Sequence, residues 1–186
     1  TEIYTLSLHD ALPISEKGVT EPSPVFSACY GAPFMPLHPR RYAELLGQRI
    51  REHGVNVWLI NTGWTGGPYG VGERIEIPYT RAMVNAALDG RLNDVPVWED
   101  PVFGFQVPES CPDVPARILR PRDSWRDQGA YDDQAAKLAG MFHDNFKAFA
   151  DQVPASIVAA GPRAGGREAV RSEERRVGKE CISRWS

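Results

Sequence analysis

Residues 63–74 read GWTGGPYGVGER. Gly67 and Gly72 stand at the separation that a phosphate-binding loop of pattern Gly-x-x-x-x-Gly-Lys-[Ser/Thr] requires. Such a loop needs more than glycines, because its lysine brings positive charge to the β- and γ-phosphates and its hydroxyl ligates magnesium. Here Glu73 occupies the lysine position and Arg74 the hydroxyl position, and a glutamate there repels phosphate. The dinucleotide pattern fails too, since Gly70 and Gly72 lack a third glycine at the required offset. Taken alone, the stretch is a near miss.

Other residues offer chemistry with competing readings. Arg74 follows the glycine loop and opens a short strand, so its guanidinium can reach a phosphate or stack on a base. A surface ion pair with Glu73 or Glu76 explains it without any ligand. Thr80, in the first turn of the next helix, serves equally as a cap or as a donor to a ligand at the helix N-terminus. Trp64 either covers a ligand or packs its own loop. His38 and His53 flank a helix, and His143 belongs to a helix face. Asp132 and Asp133 read as complements of a helix dipole, not as an acid/base pair. Cys29 and Cys111 form no Cys-x-x-Cys or Cys/His cluster, which favours buried reduced thiols over a disulfide or a metal site. No Ser/His/Asp or Cys/His order argues for nucleophilic catalysis.

The two ends of the chain are set aside from this reading. Tyr4–Ile14 and Ser172–Cys181 can be encoded by opposite strands of one DNA duplex, which two unrelated protein termini should not be. That duplex resembles a short-read sequencing adapter, so 1–15 and 171–186 are expected to be translated adapter and not native. Removing them takes away five basic and five acidic residues, leaving the net charge at −3. A mildly acidic chain does not favour nucleic acid or an anionic membrane as partner. The remaining residues, about 150, make one domain's worth of chain. No apolar run approaches membrane-spanning length, and 42% apolar residues suffice for a globular core.

The elements that must position these residues read as mixed α/β. The sequence predicts a loop at 20–24, a short buried strand at 25–30, and a helix from Pro39 through Tyr42, Leu45, Leu46 and Ile50 to Gly54 at its C′ position. VNVWLI at 55–60 then reads as a second buried strand. In such sheets ligands gather beyond the carboxyl ends of strands, which is where the glycine loop lies. A strand at 74–77 and a helix from Pro78 to a stop at Gly90 follow. Residues 91–129 are proline-rich and irregular, anchored by Phe103, Phe105 and Val107, and suited to wrapping another part of a larger protein. A last helix, about 130–150, carries Leu138, Met141, Phe142, Phe146 and Phe149 on one face as core packing.

With these residues in place, FSACYGAPFMPLHP, NTGWTGGPYGVGERI, DPVFGFQVPESCPDVPARILRPRDSW and LAGMFHDNFKAF resemble, in order, the C-terminal portion of the ATP-dependent phosphoenolpyruvate carboxykinase family. The resemblance runs from about Glu16 to Pro162, somewhat under a third of a full family member; residues 163–170 depart from the pattern. It implies that 16–170 is the C-terminal part of a mononucleotide-binding lobe. The implied activity converts oxaloacetate and ATP to phosphoenolpyruvate, ADP and CO2 in the cytoplasm, with Mg2+ and Mn2+. The family's nucleotide-contacting motif falls on Arg74, Ile75 and Thr80, with Glu73 where many members have lysine. The phosphate loop, metal ligands and oxaloacetate-binding arginine of the family lie upstream, so the piece alone is expected to be inactive. A stand-alone nucleotide-binding module and a protein-interaction piece are the competing expectations; no nucleic acid or membrane partner is expected under any of them.

Overall fold

A computed structural model describes residues 7–10, 24–27, 32–68 and 70–163. Cys29, Tyr69, most of the 20–24 loop, residues 164–170 and the adapter-like tails other than 7–10 lie outside the described residues. The chain divides into two compact units, one comprising 1–57 with 145–159 and the other 58–144 with 160–186.

In the first unit, β1 (Ser7–Asp10) pairs antiparallel with β2 (Pro24–Ser27), Leu8 opposite Phe26. The strand expected at 25–30 is therefore described at 24–27. Helix α1 (Pro39–His53) begins and ends as its sequence dictates. Pro39 occupies the first turn, where its missing N–H costs nothing, and the His38 ring accepts a bond from the Arg40 amide at 3.3 Å. Gly54 closes the helix in the left-handed conformation, φ 59°, with its N–H bonded to the Ile50 carbonyl. A residue with a β-carbon adopts that conformation at a cost, so glycine suits the stop.

The second unit carries the hairpin of β3 (Trp64–Thr65) and β4 (Glu73–Arg74), then α2 (Ile77–Leu88). The strand expected at 74–77 ends early, because Pro78 sits in the first turn of α2 and Ile77 already belongs to the helix. Residues 91–129 are more structured than expected. They contain the hairpin of β5 (Val97–Glu99) and β6 (Gln106–Pro108) and two one-turn helices, α3 (Ala116–Leu119) and α4 (Pro121–Ser124). Helix α5 (Gln128–Phe146) follows, with Asp127 Oδ1 accepting from the amides of Gly129 and Ala130. A last short helix, α6 (Ala155–Ala159), belongs to the first unit.

Aliphatic side chains and alanines, not the aromatic stripe, make the core of the second unit. Ala86, Leu92, Cys111 and Leu119 form one buried cluster beneath Trp58, Met83 and Val95; Val102, Ala135 and Ala139 form another beneath Phe103 and Tyr131. Of the expected stripe, Leu138, Met141 and Phe142 in this unit are only half-buried, as are Phe146 and Phe149 in the first, and the expected anchor Phe105 is exposed. Burial pushes the Cys111 thiol up from its ordinary pKa, and Cys111 is free, as a reduced buried thiol should be.

Two expectations are corrected. Residues 55–60 form no strand, and Val55, Val57 and Leu59 are exposed. A buried strand needs neighbours for its N–H and C=O groups, and no described strand lies beside this one. Asp132 and Asp133 do not stand in the first turn of α5, which opens at Gln128; Asp132 instead binds Arg122 through both carboxylate oxygens, at 2.9 and 3.1 Å. The architecture is mixed helices and small antiparallel sheets, an α/β piece.

Candidate functional site

The glycine loop is a hairpin turn folded onto its own backbone. The amides of Val71 and Gly72 both bond the Pro68 carbonyl, at 3.0 and 2.8 Å. A phosphate cradle needs a run of N–H groups pointing at the ligand, and these two point inward. Ser124 of α4 braces the base of the loop, its Oγ lying 3.2 Å from Thr65 Oγ1 and accepting from the Gly66 amide at 3.1 Å.

The turn delivers β4 opposite β3, with Arg74 in register across from Trp64. The Arg74 guanidinium carbon lies 5.7 Å from the Trp64 ring centroid, within cation–π range. Among the described residues Arg74 makes no ion pair with Glu73 or Glu76, so the surface-pair reading of Arg74 finds no support. Ile75 is buried, and its amide bonds the Gly63 carbonyl at 2.9 Å. Thr80 stands one turn into α2, half-buried, and its side chain does not cap the helix.

Arg74, Ile75 and Thr80 converge on one open cleft of about 490 Å³, completed by Thr62, Glu76 and Ile77. Sequence reasoning missed those last three as lining, although Glu76 and Ile77 directly precede Pro78 in the stretch that carries the motif. Glu76 is the N-terminal flanking residue of α2, so a carboxylate already complements the positive end of the helix. The cleft thus holds one cation, one anion, two isoleucines and two hydroxyls. A planar, neutral, hydrogen-bonding group fits that set; a polyphosphate, with Glu73 and Glu76 at hand, does not. His143 is not part of this lining and contacts the Pro162 carbonyl. Among the described residues no group of three or more His, Cys, Asp and Glu is placed to hold a metal ion, and no helix is long and apolar enough to cross a membrane.

The family model described as phosphoenolpyruvate carboxykinase matches residues 4–117. The chain belongs to that family. It is 56% identical over 149 residues to the Thermus thermophilus protein named phosphoenolpyruvate carboxykinase (ATP), and 57% identical over 148 residues to the Moorella thermoacetica protein named phosphoenolpyruvate carboxykinase (ATP) 2. The corresponding Lysinibacillus sphaericus protein is 53% identical over 148 residues. Each alignment covers 80% of this chain but 28% of the relative, so the chain spans little more than a quarter of the length of these carboxykinases. Both hairpins of the second unit and all of α2 fall inside the family match.

Proposed function

We propose that this chain is the nucleotide-binding C-terminal part of an ATP-dependent phosphoenolpyruvate carboxykinase, and that Arg74, Ile75 and Thr80 contact the base end of ATP. The observation that carries the reading is the convergence of these three residues on one cleft whose charge suits a base better than phosphates. Arg74 offers its guanidinium for stacking or hydrogen bonding, Ile75 an apolar wall, and Thr80 a hydroxyl at a helix N-terminus. The activity proposed for the whole protein is decarboxylation of oxaloacetate and phosphoryl transfer from ATP, giving phosphoenolpyruvate, ADP and CO2 in the cytoplasm. Holding the base fixes where the triphosphate enters the remainder of the protein, and such positioning is a large share of phosphoryl-transfer catalysis. The family resemblance implies that the Mg2+ and Mn2+ ligands and the phosphate loop lie upstream of these residues, and the piece alone is expected to be inactive. The domain reading proposed with it is 16–170 as carboxykinase, with 1–15 and 171–186 as translated adapter, although the family match already begins at residue 4.

The test is kinetic, on the full-length enzyme. Arg74→Ala should raise the KM for ATP about tenfold, about 1.4 kcal/mol, with little change in kcat. Unchanged ATP kinetics would refute the assignment.

A further inference from the structure

We propose that Trp64 is a positioning residue for nucleotide binding, its indole face holding the Arg74 guanidinium at the cleft before the nucleotide arrives. The proposal rests on the reading of the cleft as a nucleotide site and adds a residue that does not itself line it.

Three observations carry it. Trp64 and Arg74 are direct cross-strand partners in the β3–β4 hairpin, so the backbone fixes their spacing. The guanidinium lies over the indole, 5.7 Å from the ring centroid. Trp64 is half-buried while Arg74 is exposed and lines the cleft, so a partly fixed ring supports a side chain otherwise free to move. An arginine on four rotatable bonds loses rotamer freedom when it binds. A contact that restricts it beforehand lowers that cost, which is how preorganisation raises affinity. The hairpin is itself held, by the Ser124 brace at its base and by Gly72, whose position leaves no room for a β-carbon. The support beneath Arg74 is thus continuous from α4 to the guanidinium.

The test measures ATP kinetics of the full-length enzyme carrying Trp64→Leu, Trp64→Phe, Arg74→Ala and the Leu/Ala pair. Trp64→Leu should raise the KM for ATP about two- to fivefold, equivalent to about 0.4–1 kcal/mol, and leave kcat unchanged. Trp64→Phe, which keeps an aromatic face, should recover most of the loss. On the Arg74→Ala background Trp64→Leu should add nothing, because its effect runs through the arginine. A KM increase of the same size on that background overturns the proposal, as does a wild-type KM in Trp64→Leu when Arg74→Ala raises it. If Arg74→Ala itself leaves ATP kinetics unchanged, the nucleotide reading falls, and nuclear magnetic resonance of the Arg74 Nε–H then decides the positioning claim. An upfield ring-current shift that disappears in Trp64→Leu supports it, and an unshifted resonance in the wild type overturns it.

Discussion

Gly72 packs so closely against Gly67 that a β-carbon on Gly72 would collide with the Gly67 carbonyl oxygen and stand 2.7 Å from the Gly67 amide nitrogen. The same β-carbon would lie 2.5 Å from the Thr65 carbonyl oxygen. These neighbours are backbone, so no side chain can swing aside to make room.

The first prediction follows from that contact. Gly72→Ala should destabilise the full-length protein by about 1–3 kcal/mol, the range of overpacking a tight site. Because the hairpin it distorts carries Arg74, the KM for ATP should also rise. Val71→Ala, at the exposed tip of the same loop, is the matching control and should stay within about 0.5 kcal/mol. Denaturant unfolding and ATP kinetics of both variants provide the check; equal stability of the two would remove the packing argument.

The Arg122–Asp132 pair gives a second. Its two charge-assisted bonds join α4 to α5, and the Asp132 side chain is only 13% exposed. Bidentate geometry and partial burial lift this pair above ordinary surface ion pairs. Arg122→Ala should cost about 1–3 kcal/mol, because it leaves the carboxylate poorly solvated without its partner. A double-mutant cycle with Asp132→Ala should show coupling on the order of 1 kcal/mol. Strict additivity would mean that the pair contributes nothing beyond its separate contacts.

Tyr131 makes alkaline stability a third test. Burial, reinforced by the carboxylates of Asp100 and Asp132 and opposed by Arg122, pushes its phenol from 10.0 up to about 12. The folded state therefore holds this proton more tightly than the unfolded chain. The resulting stabilisation is fully present below pH 10 and is lost as the pH rises through about 12. Raising the phenol from 10.0 to about 12 corresponds to a loss on the order of 3 kcal/mol. Tyr131→Phe removes that loss, so the stability difference between variant and wild type should change across the same window. A constant difference from pH 9 to pH 12 would contradict it.

The sequence was most informative where a local rule had one solution. Pro39 and Gly54 bound α1, and Pro78 and Gly90 bound α2 with its turn, because their backbone restrictions act within a few residues. The grouping of Arg74, Ile75 and Thr80 was legible only through the family resemblance; residue chemistry alone left each with a bland alternative. Glu76 and Ile77 escaped notice because a cleft wall depends on the turn from β4 into α2, not on residue type. The core was misjudged for a related reason. Large apolar residues at helical spacing, such as Phe142 and Phe146, mark a face that wants burial, but only packing partners complete it, and here Ala135 and Ala139 are the buried residues.

Residues 55–60 state the same problem as an experiment. Val55, Val57 and Leu59 carry the pattern of a buried strand, yet all three are exposed and no described strand pairs with them. Exposed β-branched and leucine side chains in one short run are a liability for an isolated piece, but they are what a central strand presents when its neighbours come from elsewhere in the protein. The chain spans 28% of the length of its carboxykinase relatives, so most of such a protein's strands would come from outside it. In the full-length enzyme the amides of 55–60 should be strongly protected from hydrogen exchange, whereas in this chain alone they should exchange orders of magnitude faster. Leu59→Lys should correspondingly destabilise the full-length protein by about 2–4 kcal/mol and this chain hardly at all. Equally fast exchange in both proteins would show that the segment is a loop and that its apolar run has another cause.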